Sequence, residues 1–134
     1  MKAQLFKWFS VLTGLLYFWL FYQLLFTPAE MLRSFGVVAD PHMLFLAKRI
    51  SVLMLGFAAL LFLGFRLPPS PGRAVISVAV AVNMAGFAIN SFWGASHGVL
   101  TDPSIPVIGG IETFISLFYA VYALLDLRAQ PTRA

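Results

Sequence analysis

The sequence predicts an all-α protein: an integral membrane four-helix bundle, up-down-up-down, with both termini cytoplasmic. Three observations predict it. The 134-residue chain is 60% hydrophobic and 10% charged, against roughly 25% charged in soluble domains, so a soluble fold of this size could not hide its apolar surface. The apolar residues fall into four runs, each long enough to cross a hydrocarbon core of about 30 Å at about 1.5 Å per residue. Between the runs stand Pro, Gly and charged residues, at Thr27-Pro28, Arg66 to Arg73 and Gly98 to Asp102, the punctuation of short connections. One transmembrane domain over 1–134 is expected, with spans at about 5–26, 43–65, 74–93 and 105–125.

The first span holds Trp8 and Tyr22 near its ends and many further aromatics between. Amphipathic rings favour the membrane interface, and lipid contact and helix packing explain the rest without a pigment or haem. The run exceeds a signal-peptide core of about 7–15 residues and no small-x-small site follows it, so it reads as a retained span. Thr27-Pro28 ends it. Ala29 to Phe35 predicts a short interfacial helix with Met31, Leu32 and Phe35 on one side, closed by Gly36.

The second span opens at Asp40-Pro41, an N-cap followed by Pro at the first helical position. Gly56 and Gly64 allow close helix approach. The Pro-rich stretch Arg66 to Arg73 reads as a tight hairpin loop. The third span starts with small and β-branched residues; Ala81 and Ala85 mark a packing face, and Asn83, Gly86, Asn90 and His97 share one side at helical spacing. Asp102-Pro103 repeats the helix-start dipeptide before the fourth span, where Glu112, Ser116, Tyr119 and Ala123 form one stripe. A short polar tail from Asp126 is expected to fray.

Charge sets the orientation. The formal net charge is +4. Lys2, Lys7, Arg66, Arg73, Arg128 and Arg133 fall on one side, and Arg33, Lys48 and Arg49 on the other, which puts the termini inside. Bases placed at span ends are explained by the bilayer, the expected partner, and no nucleic-acid motif is present. The absence of cysteine excludes disulfides, thiol redox chemistry and thiolate metal sites. His42 and His97 lack the further ligands a metal site needs, and no cofactor is expected.

The candidate site is the set of polar residues inside the spans. An intramembrane ionisable residue is costly unless paired and is by default a functional candidate. Arg49 lies nine residues in from Asp40, Glu112 ten in from Asp102, and Asn90 seven before His97, so all three fall roughly 10–15 Å below one set of helix ends. Three readings stand: a structural Arg49–Glu112 ion pair completed by Asn90; a cavity in which Arg49 grips an anion and Glu112 orients it or exchanges a proton; or Lys48 and Arg49 reaching out to headgroups. Asn83, His97 and Tyr119 belong to the same cluster, and Thr13, Tyr17 and Gln23 could contribute from the first span.

The pattern Phe26-Thr27-Pro28-Ala29-Glu30-Met31-Leu32, Phe35-Gly36-Val37, then Leu46-Ala47-Lys48-Arg49 and Leu55-Gly56 resembles a broad group of small bacterial four-helix membrane proteins of unknown function. The resemblance covers about the first half of the chain. It transfers no activity and implies a multi-pass protein of a bacterial inner membrane. Three function classes stand. The first is a non-enzymatic structural or accessory subunit, self-associating as a homo-oligomer or joining a larger membrane complex. The alternative is a transporter or binder of a small polar or anionic solute or lipid; a membrane enzyme is the third and least supported class.

Overall fold

The computed structural model describes residues 2–128. These residues form five helices and no strands: α1 Lys2–Phe26, α2 Pro28–Ser34, α3 Pro41–Gly64, α4 Pro71–Ser96 and α5 Ile105–Arg128. The four long helices have 24 to 26 residues, roughly 36–39 Å of rise, slightly more than a bilayer core. All four are long and apolar enough to cross a membrane.

The helix starts have local causes. Asp40 accepts a hydrogen bond from the Met43 amide at 2.8 Å and caps α3, with Pro41 in its first turn. Ser70 does the same for α4, accepting from the Arg73 amide at 3.2 Å ahead of Pro71. That cap corrects the expected third span: the helix begins at Pro71 rather than 74 and runs on to Ser96. At the next connection the Ser104 hydroxyl and amide both donate to Asp102, and they hold its carboxyl below the usual carboxylate range. The interfacial helix forms at Pro28–Ser34, and Gly36, at φ +79°, closes it. A second correction concerns the tail. Asp126 is helical and buried, and α5 continues to Arg128; Arg133, counted in the orientation argument, lies outside the described residues.

The long helices pack as two close pairs, α1 on α3 and α4 on α5. Small residues make the approach possible: a methyl added at Gly14 would stand 2.9 Å from the Phe62 ring, and one at Gly109 would stand 3.1 Å from Phe92. Gly14 faces Phe62 and Tyr17 stacks on Phe57, so contacting residue numbers fall on α3 as they rise on α1. In the other pair Ser91 donates to Glu112, and the Ser116 hydroxyl donates to the Ala81 carbonyl at 2.8 Å, so contacting numbers again fall on one helix as they rise on the other. The two pairs meet through long side chains. Phe9 stacks on Phe118, and Phe6 packs edge-on to Tyr119 and tilted against Tyr122. Tyr17 donates to Asn83 Oδ1 at 2.7 Å, and Tyr119 to Ser10 at 3.3 Å. In lipid, where apolar burial does not drive helices together, such packing and interhelical hydrogen bonds are what hold them.

Candidate functional site

The connections at one end of the molecule form a lid. The α2 segment and the α4–α5 loop are stapled together: the Thr101 amide donates to the Phe35 carbonyl at 3.2 Å, and its hydroxyl donates to Gly36 at 3.4 Å. The staple is tight, since a methyl on Gly36 would lie 2.0 Å from the Thr101 hydroxyl. Pro28 and Met31 turn inward from α2.

Beneath this lid is a cavity of about 230 Å³, lined from every helix: Leu20 and Leu24 of α1, Met31 and Phe35 at α2, Ile50 and Met54 of α3, Phe87, Asn90 and Ser91 of α4, Leu100 of the loop, and Ile105, Ile108 and Glu112 of α5. Its wall is apolar except for Asn90, Ser91 and Glu112. Glu112 is half-buried and accepts a 2.8 Å hydrogen bond from the Ser91 hydroxyl. The exposed lining residues, Ile50 and Asn90, stand on α3 and α4. These two helices approach closely near their connecting loop, where Gly64 meets Ile76.

Of the three residues placed together from the sequence, Asn90 and Glu112 line this chamber, and Arg49 does not, though its neighbour Ile50 does. The expected Arg49–Glu112 pair is not formed. Lys48 and Arg49 are exposed, Arg49 lies in an outer groove with Leu46, Ile50 and Leu53, and among the described residues neither joins an ion pair. The reason is rotational. One residue turns a helix by about 100°, so with Ile50 facing the chamber, its neighbour Arg49 faces out. Asn83 serves Tyr17 instead of the chamber. Tyr119 is fully buried between Ser10 and the Phe6 and Phe9 rings. His97, exposed in the loop, stacks on Trp93 with its Nδ1 2.9 Å from the Trp93 carbonyl. Gln23 accepts from Thr27 at the end of α1, away from the cluster. No group of three or more His, Cys, Asp or Glu able to hold a metal occurs among the described residues.

A charge pair that sequence reasoning missed lies at the opposite end. Arg73 donates through Nε to Asp126 Oδ2 at 2.6 Å and through a terminal nitrogen to Oδ1, a two-point fork on the carboxylate. The two side chains are 6% and 1% exposed. The guanidinium also lies 4.5 Å from the centre of the Phe6 ring and donates to the Leu67 carbonyl at 3.4 Å. It joins α4 to α5 and presses both against α1. The signal that could have found it is Ser70-Pro71, which repeats the cap-and-proline logic of Asp40-Pro41 and starts α4 two residues before Arg73.

The molecule thus has two polar centres with different chemistry. The Arg73–Asp126 pair is closed, forked and neutral. The lid-end chamber is apolar and carries one carboxylate whose hydrogen-bond partner is a serine. A carboxylate in such a wall is stabilised by a cation or hydrogen-bond donor brought to it. The chain matches no protein-family model, no curated protein and no solved structure, so what it can do is read from this geometry; four apolar helices make it a multi-pass membrane protein.

Proposed function

We propose that this is a small membrane binding protein or carrier whose chamber takes an amphipathic molecule with an apolar body and a cationic or hydrogen-bond-donating head. The observation that supports it is Glu112: one carboxylate, oriented by Ser91, in a lidded cavity of about 230 Å³ with an otherwise almost wholly apolar wall. The apolar wall suits a hydrocarbon body, Glu112 and Asn90 suit its head, and the exposed edge between α3 and α4 suits entry from lipid. The reading favours binding over catalysis because, among the described residues, Glu112 is the one titratable side chain lining the chamber. Of the small polar or anionic solute or lipid expected from the sequence, a carboxylate at the head position favours a polar one with a cationic or donor head over an anionic one.

In this reading the four spans run up-down-up-down, both termini face the cytoplasm and the lid faces outward. The Lys and Arg distribution supports that orientation, and the resemblance of the first half of the chain supports a bacterial inner membrane. A second reading, a self-associating or accessory subunit, draws on the exposed aromatics of α1: Trp8, Phe18, Trp19, Tyr22 and Phe26. Subunit counting by native mass spectrometry tests it.

Thermal unfolding of the detergent-solubilised protein with decylamine, decanol and decanoate, three probes of one length and different heads, tests the first reading. Decylamine is expected to stabilise most and decanoate least. Glu112→Gln is expected to abolish the preference of amine over alcohol, a change of about tenfold or more in affinity, or about 1.4 kcal/mol. Equal stabilisation by all three probes in the wild type overturns the reading.

A further inference from the structure

Lys48 and Arg49 are adjacent cations on the exposed side of a membrane-crossing helix, and intramembrane charge needs a partner. The carboxylates of the described residues do not supply one. Asp126 is taken by Arg73, and Glu112 accepts from Ser91 inside the chamber. Asp40 caps α3, Asp102 holds Ser104, and Glu30 is exposed in the first turn of α2 without an ion pair among the described residues. These five are all the acidic side chains in the sequence. Among the described residues Lys48 and Arg49 thus have no counter-charge.

Depth and direction say what kind of counter-charge suits them. Lys48 and Arg49 follow Pro41 by seven and eight residues, roughly 10–12 Å along the axis. Side chains on a helix lean toward its N-terminus, here the Asp40 end. Both cations can thus reach back to the headgroup layer while their stems stay in hydrocarbon. Leu46 on the headgroup side of Arg49, and Ile50 and Leu53 on the deeper side, form an apolar groove with it, the surface an acyl chain would follow. Arg is suited to grip a phosphate as a planar fork, and Lys adds a point charge.

We propose that Lys48 and Arg49 form a binding site for the phosphate of an anionic phospholipid in the lid-side leaflet, with one acyl chain laid along Leu46, Ile50 and Leu53. The site is separate from the Glu112 chamber, though Ile50 lines both, and it stands or falls independently of the chamber's ligand.

Native mass spectrometry of the detergent-solubilised chain, with phosphatidylglycerol or phosphatidylcholine added at equal concentration, tests it. The wild type is expected to retain phosphatidylglycerol about tenfold over phosphatidylcholine. Lys48→Gln/Arg49→Gln is expected to lose that preference while keeping its helical circular dichroism, since neither side chain has a partner to abandon. Lys48→Arg is expected to keep it, and Glu112→Gln to leave it untouched. Three outcomes overturn the proposal: equal retention of the two lipids by the wild type, unchanged preference in the double variant, or displacement of the lipid by inorganic phosphate at matched concentration, which would make the site one for the free ion.

Discussion

Arg73 and Asp126 show how one pair of side chains can hold a small membrane bundle together. Each is nearly inaccessible, and the fork leaves little of either charge unmatched. Removing one partner leaves an isolated charge in a low-dielectric core, which costs about 3–5 kcal/mol, whereas replacing both by apolar residues of similar size is often neutral or stabilising. Arg73→Leu and Asp126→Leu are each expected to destabilise the protein by about that much, and the double leucine variant to recover most of the loss, as read by denaturant unfolding in detergent. Tyr17→Phe removes a different link, the 2.7 Å bond to Asn83 between α1 and α4. It is expected to cost about 0.6–1.7 kcal/mol, the range for interhelical hydrogen bonds in membranes. Asp102 gives a pH signature. Its folded pKa is depressed by the two Ser104 donors, so its small contribution is fully present above the unfolded pKa and fades as pH falls through the folded one. Asp102→Asn should flatten that acid limb of the melting temperature and nothing above it.

At the scale of elements, α2 and the α4–α5 loop act as one unit because Thr101 ties them at Phe35 and Gly36. Gly36 carries positive φ, and any side chain there meets Thr101 at once. Gly36→Ala combines a left-handed penalty of roughly 1–2 kcal/mol with a collision. It is expected to release the lid and speed amide exchange in 28–36 and 97–104, leaving α1 and α5 protected, as hydrogen-exchange mass spectrometry would show. Much of this element plan was legible: the apolar runs placed the spans, Asp40-Pro41 placed the start of α3, and Thr27-Pro28 with Gly36 bounded α2. What was hidden was rotation. A soluble helix shows its inward face as an apolar stripe, but α3 is apolar on nearly every side, so nothing in the sequence says that Ile50 rather than Arg49 faces the chamber. The Arg73–Asp126 pair was hidden for another reason. The run Pro68-Pro69-Ser70-Pro71-Gly72 reads as loop and Asp126 as tail, and a contact 53 residues apart shows itself only when both ends are helical.

At the scale of the whole molecule, the proposed lipid site and chamber both depend on which leaflet the lid faces. The two ends differ in charge character. At the α3–α4 connection Arg66 stands exposed near the buried, neutralised Arg73. At the lid end Glu30, Asp40, Asp102 and Glu112 gather with Arg33, Lys48 and Arg49. Lys and Arg density near span ends governs insertion while acids contribute little, and with Lys2, Lys7, Arg128 and Arg133 counted on the side of Arg66 and Arg73, the proposed orientation makes the α3–α4 connection the cytoplasmic one. The sequence has no cysteine, which makes the question accessible to single-cysteine labelling without background. Pro69→Cys and Val99→Cys place a thiol at exposed positions in the two opposite connections, neither of them a cap or staple residue. In intact cells a membrane-impermeant maleimide is expected to label Val99→Cys at once and Pro69→Cys only after permeabilisation. The reverse pattern would turn the lid toward the cytoplasm and move the anionic-lipid site to the inner leaflet. Labelling of both before permeabilisation would mean that the chain inserts in two orientations, and the six-against-three distribution of bases would then be too weak a bias to fix one.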